Sequence, residues 1–290
     1  MPANGGFQLT DGDVEFLRLV FEYRFLRIEN LVELTSRTYK KIHGRLHKLH
    51  EHKYLSRIAR PQQPHIYATG REAVPILVEQ GIASKELIGW RIRHHELKAL
   101  FLDHQMRVVD LHTILAMVTN TSHFKLKEWR EGKELWDKVR FQAGSMHVTL
   151  PIRPDGFFVL EDTTRPEGQN RARFFLEADR STTNHKKFRE KLLAYWHWRE
   201  QDLHQKKLAI RSFRVVTTTL NEERARLLCE LAQETLPPDA RKYFLFVPLV
   251  GTLPEQAAQI VEQTFFCPRD MHEGTRHALM PPFTPAANGG

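Results

Sequence analysis

Three acidic residues near the middle of the chain are spaced so that they could hold a metal ion or move a proton. Asp155 follows Pro154 at the start of one apolar segment, and Glu177 and Asp179 end another, residues 173–179. Side chains alternate between the two faces of a strand, so Glu177 and Asp179 would share one face. Burying an unpaired carboxylate is costly. The pattern therefore predicts a partner for these acids: a divalent metal, a basic side chain or water.

The order of these acids resembles the signature of the restriction-endonuclease-like fold. That signature is Pro-Asp, a spacer, then Asp or Glu, any residue, and Lys. The resemblance implies that Asp155 and Glu177 hold Mg²⁺ or Mn²⁺ and that a lysine helps to activate water. In this sequence Asp179 stands where the lysine is expected. A negative group therefore replaces the positive one at the last position of the signature.

A side chain from another element could restore the missing charge or complete a metal site. The candidates are the cations Lys186, Lys187, Lys191 and Arg180, together with Glu96 as an outer metal ligand. Each candidate also has an ordinary interpretation as a solvated surface residue. Likewise, Asp155 suits a turn before Gly156, and Asp179 suits a helix cap. The sequence leaves an active and an inactive site open.

Charge and composition indicate an anionic partner. The chain has 290 residues, a formal net charge of +8 and a pI near 9.5. Such a surplus attracts phosphate polymers through long-range fields. Cys229 and Cys267 lie far apart and outside any Cys-x-x-Cys pair, which argues against a thiolate zinc site or a disulfide framework. No apolar run is long enough for a membrane span and no signal pattern is visible, so we expect a cytoplasmic protein without a membrane partner.

The chain divides near residue 85. Residues 1–9 and 281–290 are rich in Pro, Gly, Ala and Asn, and are predicted to be disordered tails. Residues 10–84 form one predicted domain and residues 91–268 another. The expected fold class is α+β, with an N-terminal winged helix-turn-helix followed by an α/β restriction-endonuclease-like domain with a mixed central sheet.

The first predicted domain has the element order of a winged helix. A capping box at Thr10 and Asp13 starts one helix, a second follows from Ile28, and a third has Ile42 and Leu46 on its core face. The segments 54–58 and 65–69 alternate like two strands around a turn, and a helix at 71–80 follows.

The third of these helices is strongly basic. Between residues 37 and 60, Glu51 is the single acid among many Lys and Arg residues. In a winged helix this element enters the major groove while the hairpin contacts the backbone. A solvated cationic face is the alternative interpretation. The predicted DNA contacts are Arg37, Thr38, Tyr39, Lys40, Lys41, Arg45, Arg57 and Arg60.

The second predicted domain alternates helices and strands. Helices are expected at 91–120, 184–200, 222–234 and 254–265, and strands at 123–129, 145–150, 156–160, 173–179, 209–218 and 242–248. The expected core stripe of the first helix consists of Leu97, Phe101, His104, Val108, Leu111, Leu115 and Val118. Tyr195, Trp196 and Trp198 suit either helix packing or stacking on the bases of an opened strand.

The combination of motifs resembles the bacterial replication-relaxation family over about residues 10–250. It consists of the winged helix, the segment Arg-Ile-Arg-His-His-Glu-Leu at 91–97, Pro-Asp-Gly at 154–156, and Phe-Leu-Glu-Ala-Asp-Arg-Ser-Thr before a helix with Lys191 and Tyr195. The resemblance implies a DNA-binding protein of plasmids, phages or other mobile elements. It further implies a link to replication or its control, and a nuclease-like domain that is often degenerate.

These inferences lead to one expected function and two alternatives. We expect a protein that binds double-stranded DNA through its winged helix and carries an inactive nuclease-like domain, with a homodimer or protein partners in the DNA-bound complex. The first alternative is a Mg²⁺- or Mn²⁺-dependent DNA endonuclease using Asp155 and Glu177. The second is an adaptor subunit of a larger assembly on DNA.

Overall fold

The first helix begins at the predicted capping box. In the computed structural model, which describes residues 7–84, 99–181 and 183–280, α1 spans Asp11–Tyr23. The backbone N–H of Asp13 donates to the Thr10 hydroxyl at 3.3 Å, and the backbone N–H of Thr10 donates to the Asp13 carboxylate at 2.7 Å. This reciprocal pair satisfies two backbone donors that the start of a helix leaves open.

The next elements follow in the predicted order. Helix α2 spans Ile28–Thr35, α3 spans Tyr39–Glu51, strands β1 and β2 span Leu55–Ile58 and Ile66–Thr69, and α4 spans Ala73–Glu79. The two strands pair antiparallel. Their assignment to the winged-helix class stays a prediction.

Gly70 directly follows β2, at a position where no side chain fits. A Cβ atom added to Gly70 would lie 2.3 Å from the carbonyl oxygen of Lys53, a backbone atom that cannot swing away. The backbone N–H of Gly70 donates to the carbonyl of Tyr54 at 2.9 Å. The end of β2 is therefore held against the turn that follows α3.

A long helix, α5, is described over Ala99–Thr121. Its residues Leu102, Met106 and Val109 belong to the core that α1 to α4 enclose. The predicted stripe is confirmed for Val108, Leu111, Leu115 and Val118, which are buried, but is wrong for Phe101, which is 41% exposed. The helix buries more than one face, so a single stripe did not describe it. Residues 91–98, including Leu97, lie outside the described residues.

The chain forms two compact units, Met1–Thr113 and Ile114–Gly290. The division falls within α5. The predicted domain bounds 10–84 and 91–268 are not tested by this division and stay a prediction. Among the described residues, no helix is long and apolar enough to cross a lipid bilayer.

The second unit is built on a mixed five-stranded sheet, which makes the protein α+β as predicted. Its strands are β3 Phe124–Arg130, β6 Gly156–Asp162, β7 Arg171–Ala178, β8 Arg214–Thr219 and β9 Phe244–Pro248, in the order β3-β6-β7-β8-β9. The β3–β6 and β6–β7 pairs are antiparallel, whereas β7–β8 and β8–β9 are parallel. Parallel neighbours require helical crossovers. These are α6 His185–Glu200 with α7 Leu203–Leu208, and then α8 Glu222–Thr235; a last helix, α9, spans Leu253–Val261.

A separate hairpin packs against α6. Strands β4, Asp137–Ala143, and β5, Met146–Ile152, pair antiparallel, and both contact α6. The strand predicted at 145–150 corresponds to β5, while β4 was not predicted. Val139 and Ile152 from this hairpin are buried with Trp198 and Tyr195 of α6 in the main core of the unit.

Candidate functional site

The two acids of the nuclease-like signature lie together at one end of the sheet. The antiparallel register pairs Gly156 with Leu176, so Asp155, which precedes β6, lies beside the end of β7. The backbone N–H of Asp155 donates to the carbonyl of Leu176 at 3.0 Å, and the backbone N–H of Ala178 donates to Asp155 Oδ2 at 2.8 Å. Sheet pairing thus brings Asp155 next to Glu177, although the two are far apart in the sequence.

Glu177 is buried and uses both of its oxygens. The Tyr195 hydroxyl donates to Glu177 Oε1 at 2.6 Å, and Lys191 Nζ donates to Glu177 Oε2. Lys191 and Tyr195 are four residues apart in α6, so they project from the same helix face. We call these three residues the Glu177 cluster. The Lys-x-x-x-Tyr spacing is therefore the spacing that completes a buried carboxylate site.

The ionisation of this cluster follows from burial and charge. Burial raises the pKa of Glu177, and the nearby Asp155 adds to this effect against the attraction of Lys191. For Lys191, burial disfavours the charge, but the carboxylates of Glu177, Asp155 and Asp179 outweigh it and raise the pKa. Burial and the Glu177 charge raise the pKa of Tyr195 well above its usual value. Lys191 and Tyr195 therefore keep their protons and act as donors.

Asp179 has a different partner. Arg224, in the first turn of α8, contacts both carboxylate oxygens, with Nε to Oδ2 at 2.8 Å and Nη2 to Oδ1 at 3.2 Å. The backbone N–H of Ser181 also donates to Asp179 Oδ2 at 2.8 Å. Arg224 was not singled out from the sequence, and no local signal links it to an acid 45 residues away. Asp179 therefore ties the loop after β7 to α8.

The side chains predicted to assist the acids lie at different distances from them. Lys186 is exposed, and within the described residues no hydrogen bond or ion pair joins it to the acids. It lies five residues before Lys191, which places it on another face of α6. Lys191, one of the predicted cations, reaches Glu177. Glu96 lies outside the described residues.

The carboxylate oxygens of Glu177 and Asp179 already accept hydrogen bonds. Glu177 accepts from Lys191 and Tyr195, and Asp179 accepts from Arg224 at both oxygens. Among the residues that the structure describes, no three His, Cys, Asp or Glu side chains are grouped so as to hold a metal ion. A divalent metal at Glu177 would have to displace Lys191 from that carboxylate, and the predicted metal site stays a prediction.

The basic helix α3 exposes one face and buries the other. Ile42, Leu46 and Leu49 are fully buried, at the spacing predicted for the core face. On the opposite side Lys40, Gly44, Lys48 and their neighbours are exposed. Tyr39 is 54% exposed, which is unusual for a large aromatic side chain. The exposed members of this face are Thr38, Tyr39, Lys40, Lys41, His43, Gly44, His47 and Lys48. We call this set the α3 face.

Three of the predicted DNA contacts are paired with acids inside the first unit. Arg37 lies 2.5 Å from Glu15, Arg45 contacts Asp13, and Arg60 contacts Asp103. Asp13 is the buried capping residue of α1, so Arg45 links the start of α1 to α3. Burial opposes the charge of Asp13, but the hydrogen bonds from Arg45 and Thr10 outweigh it and lower the pKa of Asp13.

The remaining predicted contacts stay exposed. Lys40, Lys41 and Arg57 have exposed side chains, and within the described residues no carboxylate forms an ion pair with them. Lys48 shares this property but was left out of the predicted contacts. The i, i+4, i+8 spacing of Lys40, Gly44 and Lys48 was the signal that could have identified it.

Comparison with known proteins gives one match. The chain matches the replication-relaxation family over residues 17–212, which is well over half of its length and includes both the α3 face and the Glu177 cluster. No curated protein and no solved structure matches the chain. By this match, the chain belongs to the replication-relaxation family.

Proposed function

We propose that this protein binds duplex DNA through the α3 face and acts in the replication of a bacterial mobile element or in its control. The observation that carries the proposal is that Lys40, Lys41 and Lys48 are exposed and, among the described residues, have no carboxylate partner. An unpaired cationic face adds little to folding and suits a phosphate polymer. Membership of the replication-relaxation family supports the link to replication.

The proposed mode of binding is that of a winged helix. Helix α3 enters the major groove with Thr38 and Tyr39 near the bases, and the β1–β2 hairpin contacts the backbone through Arg57. Arg37 and Arg45 have a different role in this proposal. Because both are engaged with acids of α1, they hold α3 in place and reach DNA only secondarily.

The salt dependence of binding tests this assignment. In the triple variant Lys40→Ala, Lys41→Ala, Lys48→Ala, affinity for a mixed-sequence duplex should fall. The slope of log affinity against log salt should flatten by about 2–3, since each lost phosphate contact releases about 0.9 fewer counterions. Fluorescence anisotropy over a range of salt concentrations measures both quantities.

A matched variant separates the α3 face from net charge. Lys206→Ala, Lys207→Ala, Lys242→Ala removes the same charge from exposed lysines of the second unit. It should keep the affinity and slope of the unchanged protein. Equal losses in the two triple variants would mean that overall charge alone attracts DNA, and would refute the α3 assignment.

For the second unit we propose a nuclease-like scaffold that does not cut DNA. The supporting observation is that Lys191 and Tyr195 occupy the Glu177 oxygens that a metal would need. The alternative, a metal-dependent endonuclease, is favoured by one contact: Lys191 gives Glu177 the cation that Asp179 does not supply. The two functions differ in whether metal displaces this lysine.

A cleavage assay decides between them. The full chain should leave supercoiled DNA intact with Mg²⁺ or with Mn²⁺ while still retarding it in a gel. Cutting by the unchanged protein that disappears in both Asp155→Asn and Glu177→Gln would establish the endonuclease instead. Cutting that persists in both variants would point to a contaminating nuclease, and the preparation without it should then be inactive.

A further inference from the structure

Trp136 is an exposed aromatic side chain in the second unit that neither the core nor the Glu177 cluster uses. It follows a short 3₁₀ helix, Lys133–Leu135, and precedes β4. Its side chain is 39% exposed. The Arg153 guanidinium lies over the ring at 5.1 Å from its centroid, and the Lys133 ammonium lies over it at 5.9 Å. The ring thus offers a π face at the surface on which a flat base can stack in place of one of these cations.

The hairpin beside Trp136 has a basic outer face. The register pairs Lys138 with Pro151 and Arg140 with Thr149, so these four side chains share one side of the hairpin. Lys138, Arg140 and the nearby Arg153 are exposed. Among the described residues, no carboxylate forms an ion pair with any of the four cations Lys133, Lys138, Arg140 and Arg153.

The acids in this region do not neutralise these cations. Asp137 is turned away from the face, because its Oδ2 accepts from Trp198 Nε1 and its Oδ1 accepts from the backbone N–H of Lys138, each at 2.8 Å. Glu134, on the short helix, is exposed. Within the described residues it forms no ion pair with these cations. The surface around Trp136 therefore keeps a positive balance.

The surface also holds two shallow depressions. A groove of about 430 Å³ is lined by Trp136, Lys138 and Arg153 together with Asp137, Thr149 and Pro151. A second groove of about 430 Å³ shares Pro151 and Arg153 with the first and is lined by Lys187, Glu190, Lys191 and Tyr195 as well. The two grooves are therefore neighbours, and the second one borders the Glu177 cluster.

We propose that the outer face of the β4–β5 hairpin, with Trp136, binds single-stranded DNA. One base stacks on the indole ring, and Lys138, Arg140 and Arg153 contact the phosphates. A single strand fits better than a duplex because the faces of bases in a duplex are covered by their neighbours, whereas an opened strand offers them to an aromatic side chain. The proposal does not depend on the α3 face, which belongs to the first unit.

This surface replaces the stacking site considered from the sequence. Tyr195 and Trp198 are buried, so they pack α6 against the sheet and hairpin. Trp196 is partly buried against the same core. Among the tryptophans that the structure describes, Trp136 is the one that is exposed enough for a base to reach it.

Variants of Trp136 in the full chain test the proposal. Trp136→Ala should weaken binding of a labelled mixed-sequence oligodeoxynucleotide by about 5- to 100-fold, the loss expected for one stacked base. Trp136→Phe keeps a ring and should stay within about threefold of the unchanged protein. Leu227→Ala removes another exposed apolar side chain of this unit and should have no effect. Equal weakening by the Ala and Phe variants would overturn the stacking role.

A charge variant tests the phosphate contacts without touching the ring. Lys138→Ala with Arg140→Ala should flatten the salt slope for the single strand by about 1–1.5, because single strands release about 0.7 counterions per phosphate. An unchanged slope would overturn the phosphate assignment. Both positions are exposed, so the fold should be retained.

Two further measurements identify the kind of nucleic acid that this surface binds. Trp136→Ala should leave duplex affinity unchanged, and its effect on the single strand should persist in the Lys40→Ala, Lys41→Ala, Lys48→Ala background. An equal loss of duplex binding would overturn the assignment to single strands. Tighter binding to RNA of the same sequence would overturn the assignment to DNA. Failure of the α3 proposal would appear in the duplex data alone.

Discussion

At the scale of single residues, the Glu177 cluster shows how a buried acid of the predicted signature receives its partners from within the protein. A buried carboxylate needs charge or hydrogen bonds, and Lys191 and Tyr195 supply both. From the sequence, the acids at 155, 177 and 179 and the list of candidate cations were predictable. Which lysine meets which acid was not, because that depends on how α6 lies against the sheet.

Removing Lys191 should leave the buried Glu177 carboxylate without its cationic partner. We expect Lys191→Met to lower the free energy of unfolding by about 2–3 kcal/mol, less than the roughly 3–5 kcal/mol of a wholly buried pair, because the lysine side chain stays 37% exposed. The double variant Glu177→Gln, Lys191→Met should recover about half of this loss, since an amide needs no cation and still accepts from Tyr195. Urea unfolding measures both changes.

The control for this comparison is Lys187→Met, which changes an exposed lysine of the same helix and should cost little. Lowering the pH should reduce the loss in the free energy of unfolding that Lys191→Met causes. Burial raises the pKa of Glu177, so its protonation as the pH falls removes the charge that lacks a partner. A double variant no more stable than Lys191→Met would contradict an ionised pair in the folded protein.

At the scale of elements, α3 has a fully buried apolar face but also contains Gly44, a residue type that destabilises helices. Gly44 lies in the middle of the exposed side, and a Cβ atom added there would meet nothing within 4 Å. Glycine inside a helix costs roughly 0.5–1 kcal/mol relative to alanine. The fold gives no reason for this glycine, whereas close approach of a DNA backbone to the helix would.

Gly44→Ala should therefore separate stability from binding. We expect the free energy of unfolding to rise by about 0.5–1 kcal/mol, because alanine has a higher helix propensity than glycine and its Cβ atom meets no neighbour. Duplex affinity should fall, since the new methyl group lies between Lys40 and Lys48. Gly12→Ala, at the start of α1, is the matched control: its Cβ would make ordinary contacts, the nearest at 3.6 Å, and DNA binding should be unchanged. Unchanged duplex affinity in Gly44→Ala would argue against close approach at this face.

Local signals explain which elements were predictable. The capping box at Thr10 and the spacing of Ile42 and Leu46 are properties of neighbouring residues, and α1 and α3 formed where they indicated. Strand β4 was missed because its sequence carries Lys, Arg and Gln on the outer face and few apolar residues. Its inward residue Val139 becomes significant only when β5 and α6 cover it.

At the scale of the whole molecule, the net charge of +8 does not identify the surface that the proposed DNA contact uses. Many of the basic groups are paired internally: Arg37, Arg45 and Arg60 in the first unit, and Lys191 and Arg224 in the second. Unpaired cations lie on the α3 face and on the β4–β5 hairpin, and among the described residues Lys206, Lys207 and Lys242 are further examples elsewhere. Under the two proposals, the α3 face binds duplex DNA and the β4–β5 hairpin binds an opened strand.

Linked surfaces for two forms of DNA should favour a junction between them. We expect a forked DNA, with a duplex and a single-stranded arm, to bind at least about tenfold more tightly than either part alone, because the second contact becomes intramolecular. Trp136→Ala should reduce the fork to the affinity of the duplex, and the triple lysine variant should reduce it to that of the single strand. Competition of unlabelled forks, duplexes and single strands against one labelled fork measures these differences. A fork that competes no better than the stronger of its two parts would show that the two surfaces do not act on one DNA molecule together.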